Sequence, residues 1–74
     1  MVIVCSSPRV CIGMALAGVE SHYCANGEEV STALAGLDVE DIQLIIMDRK
    51  FADTTYWQDF RKTQPHILAF EYEF

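Results

Sequence analysis

Two side chains stand where a small domain could do chemistry, Cys5 and Asp48. Each ends a short apolar run, Val2–Cys5 and Ile42–Asp48, that predicts a buried β-strand. In a parallel sheet, catalytic and ligand-binding groups lie beyond the carboxyl ends of the strands, where both residues fall. A Cys5 thiolate at the start of a helix and near Arg9 could act as a nucleophile. The structural alternatives are a small apolar core residue for Cys5 and a solvated acid at a strand end for Asp48.

The other residues that often carry chemistry occur in patterns that favour structural roles. The loop Ser6-Ser7-Pro8 contains no glycine, so its backbone cannot approach a phosphate as a glycine-rich loop does. Three cysteines without a Cys-x-x-Cys spacing indicate neither a disulfide framework nor a zinc site, and they favour a reducing, cytoplasmic setting. His22 and His66 lie far apart in sequence without an obvious ligand partner, so we expect no metal and no cofactor.

Length and charge restrict the classes of partner. A chain of 74 residues is long enough for one small domain, which we place at residues 1–74. The 51% hydrophobic content predicts a folded core. With 11 acidic against 5 basic residues, a net charge of -6, a basic protein is a better partner than nucleic acid or anionic membrane. The apolar run Val10–Val19 is far shorter than the roughly 20 residues of a membrane-spanning helix, so we expect no membrane insertion.

Strand-like runs alternate with segments of helical periodicity, which is the pattern of a parallel α/β sheet. The predicted strands are Val2–Cys5, Val19–Cys24, Ile42–Met47 and a run that starts at His66 and alternates to Phe74. The first and third are apolar on both faces and therefore belong at the centre, whereas the second and fourth suit exposed positions. We predict an α/β fold, a small open four-stranded parallel sheet with helices on both faces and a flavodoxin-like or receiver-like topology.

Capping signals mark where each predicted helix begins. Ser7 precedes a proline, which suits the first helical position because its missing N–H would have no partner there. Asn26 precedes two acidic residues, and Glu29 stands at the capping-box position. The third helix has a cap candidate in Asp53 or Thr54. These signals predict three short helices.

The segment Arg49–Lys62 combines basic and aromatic residues in an otherwise acidic chain. It carries four of the five basic residues. Protein interfaces are enriched in aromatic residues and arginine, so this segment predicts a partner-binding surface. The candidate residues are Arg49, Lys50, Tyr56, Trp57, Arg61 and Lys62. The alternative is that the aromatic residues, which recur at helical spacing, face the core and leave only the bases exposed.

Parts of the chain are similar to two phosphotransfer families. Leu44–Asp48 and Asn26–Glu29 resemble the response-regulator receivers over roughly residues 24 to 48, and the matching Asp of a receiver accepts a phosphoryl group. Two serines stand where a receiver has the acidic pair that holds Mg²⁺, which leaves too few hard ligands for the ion. Cys5 resembles the nucleophile of cysteine-phosphorylated sugar-transport domains. These resemblances imply two alternative functions, a receiver-like signalling module that uses Asp48 and a phosphotransfer domain that uses Cys5.

A third resemblance covers nearly the full chain and depends on the spacing of four stretches. These stretches are Ile12–Glu20, Glu28-Glu29 at the start of the second helix, Asp41–Ile46, and Pro65-His66-Ile67-Leu68 at the start of the fourth strand. Their spacing is similar to that in the F subunits of the V-type and archaeal-type rotary ATPases, which are small α/β proteins of the central stalk. Members of that family continue into a carboxyl-terminal helix, whereas this sequence ends at Phe74, so the resemblance is to the globular part.

The resemblance to this family implies a protein that is not itself an enzyme. It implies a rotor component that docks on a coiled-coil stalk subunit and supports the coupling of ATP hydrolysis or synthesis to proton or sodium transport. Such a component would have no active site of its own. It would be cytoplasmic and peripheral to a membrane complex.

Overall fold

The computed structural model describes residues 1–74 and shows a four-stranded sheet with three α-helices, which confirms the predicted α/β class. In chain order the elements are β1 (Val2–Cys5), α1 (Pro8–Leu16), β2 (Glu20–Tyr23), α2 (Gly27–Ala35), β3 (Leu44–Asp48), a 3₁₀ turn (Arg49–Phe51), α3 (Thr55–Thr63) and β4 (Leu68–Tyr72). The strands lie in the order β2-β1-β3-β4, and every pair is parallel. The prediction that the first and third strands are adjacent at the centre is therefore confirmed.

Both faces of the sheet are covered because β1 and β3 carry apolar side chains on both sides. On one face, α2 and α3 pack over a cluster of 12 buried residues that includes Val4 and Ile45. On the other face, Ile3 and Cys5 pack with Cys11 of α1 in a cluster of 3 buried residues. Helices therefore lie on both faces, as predicted. Each helix has 9 residues, and none is long and apolar enough to cross a membrane.

Side-chain caps define where the helices begin. Ser7, Asn26 and Thr54 are the N-caps of α1, α2 and α3. Each side-chain oxygen accepts a hydrogen bond from the backbone N–H three residues later, at 3.3, 3.0 and 3.4 Å. Glu29 also reaches back across the start of α2, where its carboxylate accepts the N–H of Ala25 at 2.9 Å. The caps agree with the sequence signals, and the third of them is Thr54.

Three of the predicted strands are shorter in the structure, and one of them is β2, predicted as Val19–Cys24 and observed as Glu20–Tyr23. β3 begins at Leu44, so Ile42 precedes the strand although its side chain is buried. β4 comprises Leu68–Tyr72, because the Ile67 N–H bonds to the Gln64 carbonyl at 3.2 Å in a turn that ends just before the strand. An apolar run indicates which residues are buried. At the starts of β3 and β4, the buried residues extend beyond those that form the strand's hydrogen bonds.

Replacing Asn26 by Ala should destabilise the domain by about 1 kcal/mol, because the Glu29 N–H would lose its side-chain acceptor. Urea unfolding followed by circular dichroism measures the change. Thr32→Ala is the matched control, since Thr32 is exposed in the middle of α2 and Ala is the better helix former. An Asn26→Ala midpoint equal to that of the wild type would contradict the role of the cap.

Candidate partner-binding surface

Asp48 lies at the carboxyl end of β3 and is only 5% exposed. Its Oδ2 accepts hydrogen bonds from the backbone N–H and the hydroxyl of Ser6, both at 2.8 Å. Its Oδ1 accepts the backbone N–H of Lys50 at 3.0 Å. The interpretation of Asp48 as a solvated acid is therefore wrong. The carboxylate instead joins the loop after β1 to the turn after β3.

The hydrogen bonds to Asp48 also set its ionisation. Burial by itself raises the pKa of Asp48, but the hydrogen bonds from Ser6 and Lys50 and the positive charge of Lys50 favour the ionised form more strongly. The net result is a pKa below the ordinary value of 3.8. Both oxygens are engaged, so a phosphoryl group could attach only after these bonds break. No group of three or more His, Cys, Asp or Glu side chains lies close enough together to hold a metal ion.

Cys5 and Cys11 form a buried pair of thiols beneath α1. Their Sγ atoms are 2.8 Å apart, and the Cys5 thiol also donates to the Ser7 carbonyl at 3.3 Å. Burial, followed by the contact with Cys5, raises the pKa of Cys11 to about 12. A nucleophilic cysteine needs a lowered pKa and access to solvent. Cys5 is fully buried, so its surroundings fit a core residue better than a nucleophile.

The aromatic residues that were predicted to bind a partner differ in their exposure to solvent. Trp57 is 0% exposed and belongs to the large core cluster, and its Nε1–H donates to the Glu71 carboxylate at 2.9 Å. The inclusion of Trp57 in a contact surface was therefore wrong, because its ring fills the space between α3 and the sheet. Phe60 is also buried and stacks with Trp57. Tyr56 is 45% exposed and remains on the surface.

The basic residues of the predicted surface are exposed but differ in their contacts. Arg61 lies 3.3 Å from Glu71, and its guanidinium is 6.0 Å from the centre of the Trp57 ring. Arg49 lies 3.8 Å from Glu73. Lys50 and Lys62 take part in no ion pair. The surface residues that remain are Arg49, Lys50, Tyr56, Arg61 and Lys62.

A second, apolar surface was not predicted. It comprises the exposed residues Leu68, Phe70 and Tyr72 of β4, and Ile12 and Leu16 of α1 are also exposed. The β4 residues lie on the same sheet face as α1, since Phe70 pairs with Ile46, which packs in the α1 cluster. The signal in the sequence was that Val10–Val19 has apolar residues all round the helix. Such a pattern indicates more apolar surface than one sheet face can cover.

Replacing Asp48 by Asn should destabilise the domain by about 1 to 3 kcal/mol at neutral pH, because an amide NH₂ would face a backbone donor where the carboxylate now accepts. The pKa of Asp48 is lower in the folded state, so its stabilisation is fully present above the ordinary value of 3.8 and is lost as the pH falls through the folded pKa. The difference between wild type and variant should therefore shrink below pH 3.8.

Urea unfolding at neutral pH and at pH values below 3.8 measures both effects. The matched control is Asp53→Asn, since Asp53 is exposed and makes no side-chain hydrogen bond or ion pair. If Asp48→Asn lowered the free energy of unfolding equally above and below the ordinary pKa, the carboxylate charge would not be what stabilises this contact.

Incubation with acetyl phosphate and Mg²⁺ should leave the mass of the protein unchanged. Both oxygens of Asp48 accept hydrogen bonds, and no group of three or more His, Cys, Asp or Glu side chains forms a metal site there. Intact-mass spectrometry reads the result, with a response-regulator receiver as the positive control. A stable gain of one phosphoryl group, lost in Asp48→Asn, would restore the signalling alternative.

Comparison with known protein families gives one match. The model of the family described as "ATP synthase (F/14-kDa) subunit" matches residues 2–70. The matched residues run from β1 into β4, so they cover the alternation of strands and helices and not a single motif. No curated protein and no solved structure matches the chain. The chain belongs to the ATP synthase (F/14-kDa) subunit family, the F subunits of the V/A-type ATP synthases.

Proposed function

We propose that this chain is a non-catalytic rotor subunit in the central stalk of a V/A-type rotary ATPase. The observation that carries the proposal is the family match over residues 2–70. In this role the chain supports the coupling of ATP hydrolysis or synthesis to proton or sodium transport. It lies on the cytoplasmic side and is peripheral to the membrane complex.

A rotor component acts by binding, so its folded core must hold its surface rigidly. The two central strands are buried on both faces, and Val4, Ile45 and Met47 are fully buried between them and α2 and α3. Closely packed cores of this kind have low compressibility and transmit strain. A domain built on this core can turn with a stalk as one body.

The docking surface in this proposal is the exposed side of α3 with the 3₁₀ turn before it. Arg49 and Lys50 lie in the turn, and Arg61 and Lys62 lie in the last turn of α3. Two of the four basic residues form ion pairs with acidic residues of this chain, Arg49 with Glu73 and Arg61 with Glu71. Lys50 and Lys62 are therefore the most available to a partner. Acidic residues flanking the seam of a coiled coil would complement them.

A shallow cleft between α2 and α3 adds an apolar part to this surface. The cleft has a volume of about 250 Å³, and the Tyr56 ring forms one wall together with Leu34 and Phe60. Interfaces depend most on a few well-packed anchors, with charged residues around them. An apolar side chain on the outer face of a coiled-coil stalk would fill the cleft, whose polar lining residues are Ser31, Asp59 and Thr63.

Affinity purification from the native source tests the assignment to a rotary ATPase. The tagged chain should bring down the other subunits of the complex, including the coiled-coil stalk subunit. A matched purification that uses a tagged cytoplasmic protein of similar acidity controls for non-specific capture. Recovery of the chain without any ATPase subunit would contradict the proposed function.

Lys62→Glu should weaken binding to the coiled-coil stalk subunit by about 2- to 5-fold, because one charge at the rim of an interface is worth about 0.5 to 1 kcal/mol. Raising the salt concentration should reduce the difference between wild type and variant. Calorimetric titration measures the affinity. Arg9→Glu is the matched control, since Arg9 is the one basic residue outside Arg49–Lys62. Equal affinity of Lys62→Glu and the wild type would place the docking surface elsewhere.

A further inference from the structure

The turn between β1 and α1 brings Cys5 and Cys11 together. The Cys5 thiol donates to the Ser7 carbonyl at 3.3 Å, and the Cys11 N–H donates to the same carbonyl at 3.1 Å. Ser7 also caps α1 through its hydroxyl, which accepts the Val10 N–H at 3.3 Å. One residue therefore fixes both the end of the strand and the first turn of the helix, and the two sulfur atoms meet between them.

The two Sγ atoms are 2.8 Å apart, which is closer than an ordinary non-bonded contact. Carbon atoms pack best at about 3.5 to 4.0 Å, and sulfur is the larger atom. A disulfide bond is about 2.05 Å long, so a small further approach of the two sulfur atoms would form one. The fold thus holds this pair of thiols close to the geometry of a disulfide.

A metal ion would need a wider separation of the sulfur atoms and more ligands. Two thiolates that each bind Zn²⁺ at about 2.3 Å in a tetrahedral site lie about 3.8 Å apart. No group of three or more His, Cys, Asp or Glu side chains in the chain could hold a metal ion. The contact between Cys5 and Cys11 therefore fits oxidation better than metal binding.

Cys24 is buried as deeply as this pair but lies in different surroundings. It is 1% exposed, as against 0% for Cys5 and 9% for Cys11. Its side chain packs in the large cluster beneath α2 and α3, whereas Cys5 and Cys11 pack on the face that α1 covers. Cys24 is therefore a matched control for any chemistry that depends on the pair.

α1 is the helix that can expose the pair at the lowest cost in buried contacts. Cys11 is its one buried residue, whereas α2 and α3 each bury two. Gly13 stands in the middle of α1, and glycine is a poor helix former. Segments with few buried apolar contacts open locally at a lower free energy than the rest of a domain. Local opening of α1 would bring the Cys11 thiol to solvent while the sheet stays intact.

We propose that Cys5 and Cys11 form a reversible disulfide that ties α1 to the end of β1, with a glutathione-type disulfide as the oxidant. The Cys11 thiolate attacks one sulfur of oxidised glutathione and expels a glutathione thiolate, which leaves a mixed disulfide on Cys11. The Cys5 thiolate then attacks the Cys11 sulfur and expels the second glutathione thiolate. The protein loses two protons and two electrons, and one oxidised glutathione becomes two molecules of reduced glutathione.

The two steps differ in rate because of the surroundings of the pair. Burial, followed by the contact with Cys5, raises the pKa of Cys11 to about 12, so little thiolate is present at neutral pH and the first attack is slow. The second attack is favoured by proximity, because Cys5 lies beside the sulfur that it attacks. Reducing conditions keep the pair as two thiols, and an oxidising shift closes it. This inference does not depend on the rotor assignment.

Intact-mass spectrometry of the folded protein after incubation with oxidised glutathione tests the proposal. The wild type should lose the mass of two hydrogen atoms, and dithiothreitol should restore it. Trypsin cleaves after Arg9, so the disulfide should join the peptides that contain Cys5 and Cys11. Cys24→Ala should lose the same mass as the wild type, whereas Cys11→Ala should not. Circular dichroism checks that both variants fold, and the wild-type result does not depend on either of them.

The oxidised wild type should melt roughly 5 to 15 °C above the reduced protein, because the cross-link restricts the unfolded chain. The urea-unfolded chain, whose thiols are all accessible, controls for the activity of the oxidant. A folded protein that keeps its mass while the unfolded chain reacts would overturn the proposal. A stable glutathione adduct, a bond that involves Cys24, or an oxidised protein that melts below the reduced one would overturn it equally.

Discussion

The pairing of β1 with β3 is the contact on which the rest of this structure depends. Val2 pairs with Ile45 and Val4 with Met47, and all four side chains are buried. Because each strand is apolar on both faces, the pair is stable in water only between two layers of helix. α1 supplies one layer, and α2 with α3 supplies the other. The outer strands then extend the sheet at its two edges.

The carboxylates with structural roles connect elements that lie far apart in the sequence. Asp48 joins β3 to Ser6 after β1, and Glu71 joins β4 to Trp57 and Arg61 of α3. Both carboxylates accept hydrogen bonds from donors whose positions are fixed by backbone or ring geometry. These hydrogen bonds hold each carboxylate in one orientation. Asp48 is the one buried acid of the chain, whereas Glu71 lies on the surface like the other acids and joins the two elements from there.

The central pair of strands and the helix caps could be predicted from sequence because their signals are local. An apolar run of four or five residues identifies a central strand, and an oxygen-bearing side chain before a periodic segment identifies a cap. The surroundings of Asp48 could not be predicted, since Ser6 is brought to it only by the pairing of β1 with β3. The same limit applies to Tyr56 and Trp57, which are neighbours on a short helix. Only the position of α3 on the sheet decides that Trp57 turns inward and Tyr56 outward.

The central pairing also constrains how the chain reaches this structure during synthesis. β1 is made first, but its partner β3 begins only at Leu44, and the pair must close a loop that contains α1, β2 and α2. Contacts between distant residues form slowly because the loop-closure entropy is lost before the contact forms. A ribosome therefore presents the apolar β1 without its central partner β3 for more than half of the translation of these 74 residues. The interval in which this segment is most open to cellular factors that shield emerging apolar chains thus falls before the central pair of strands exists.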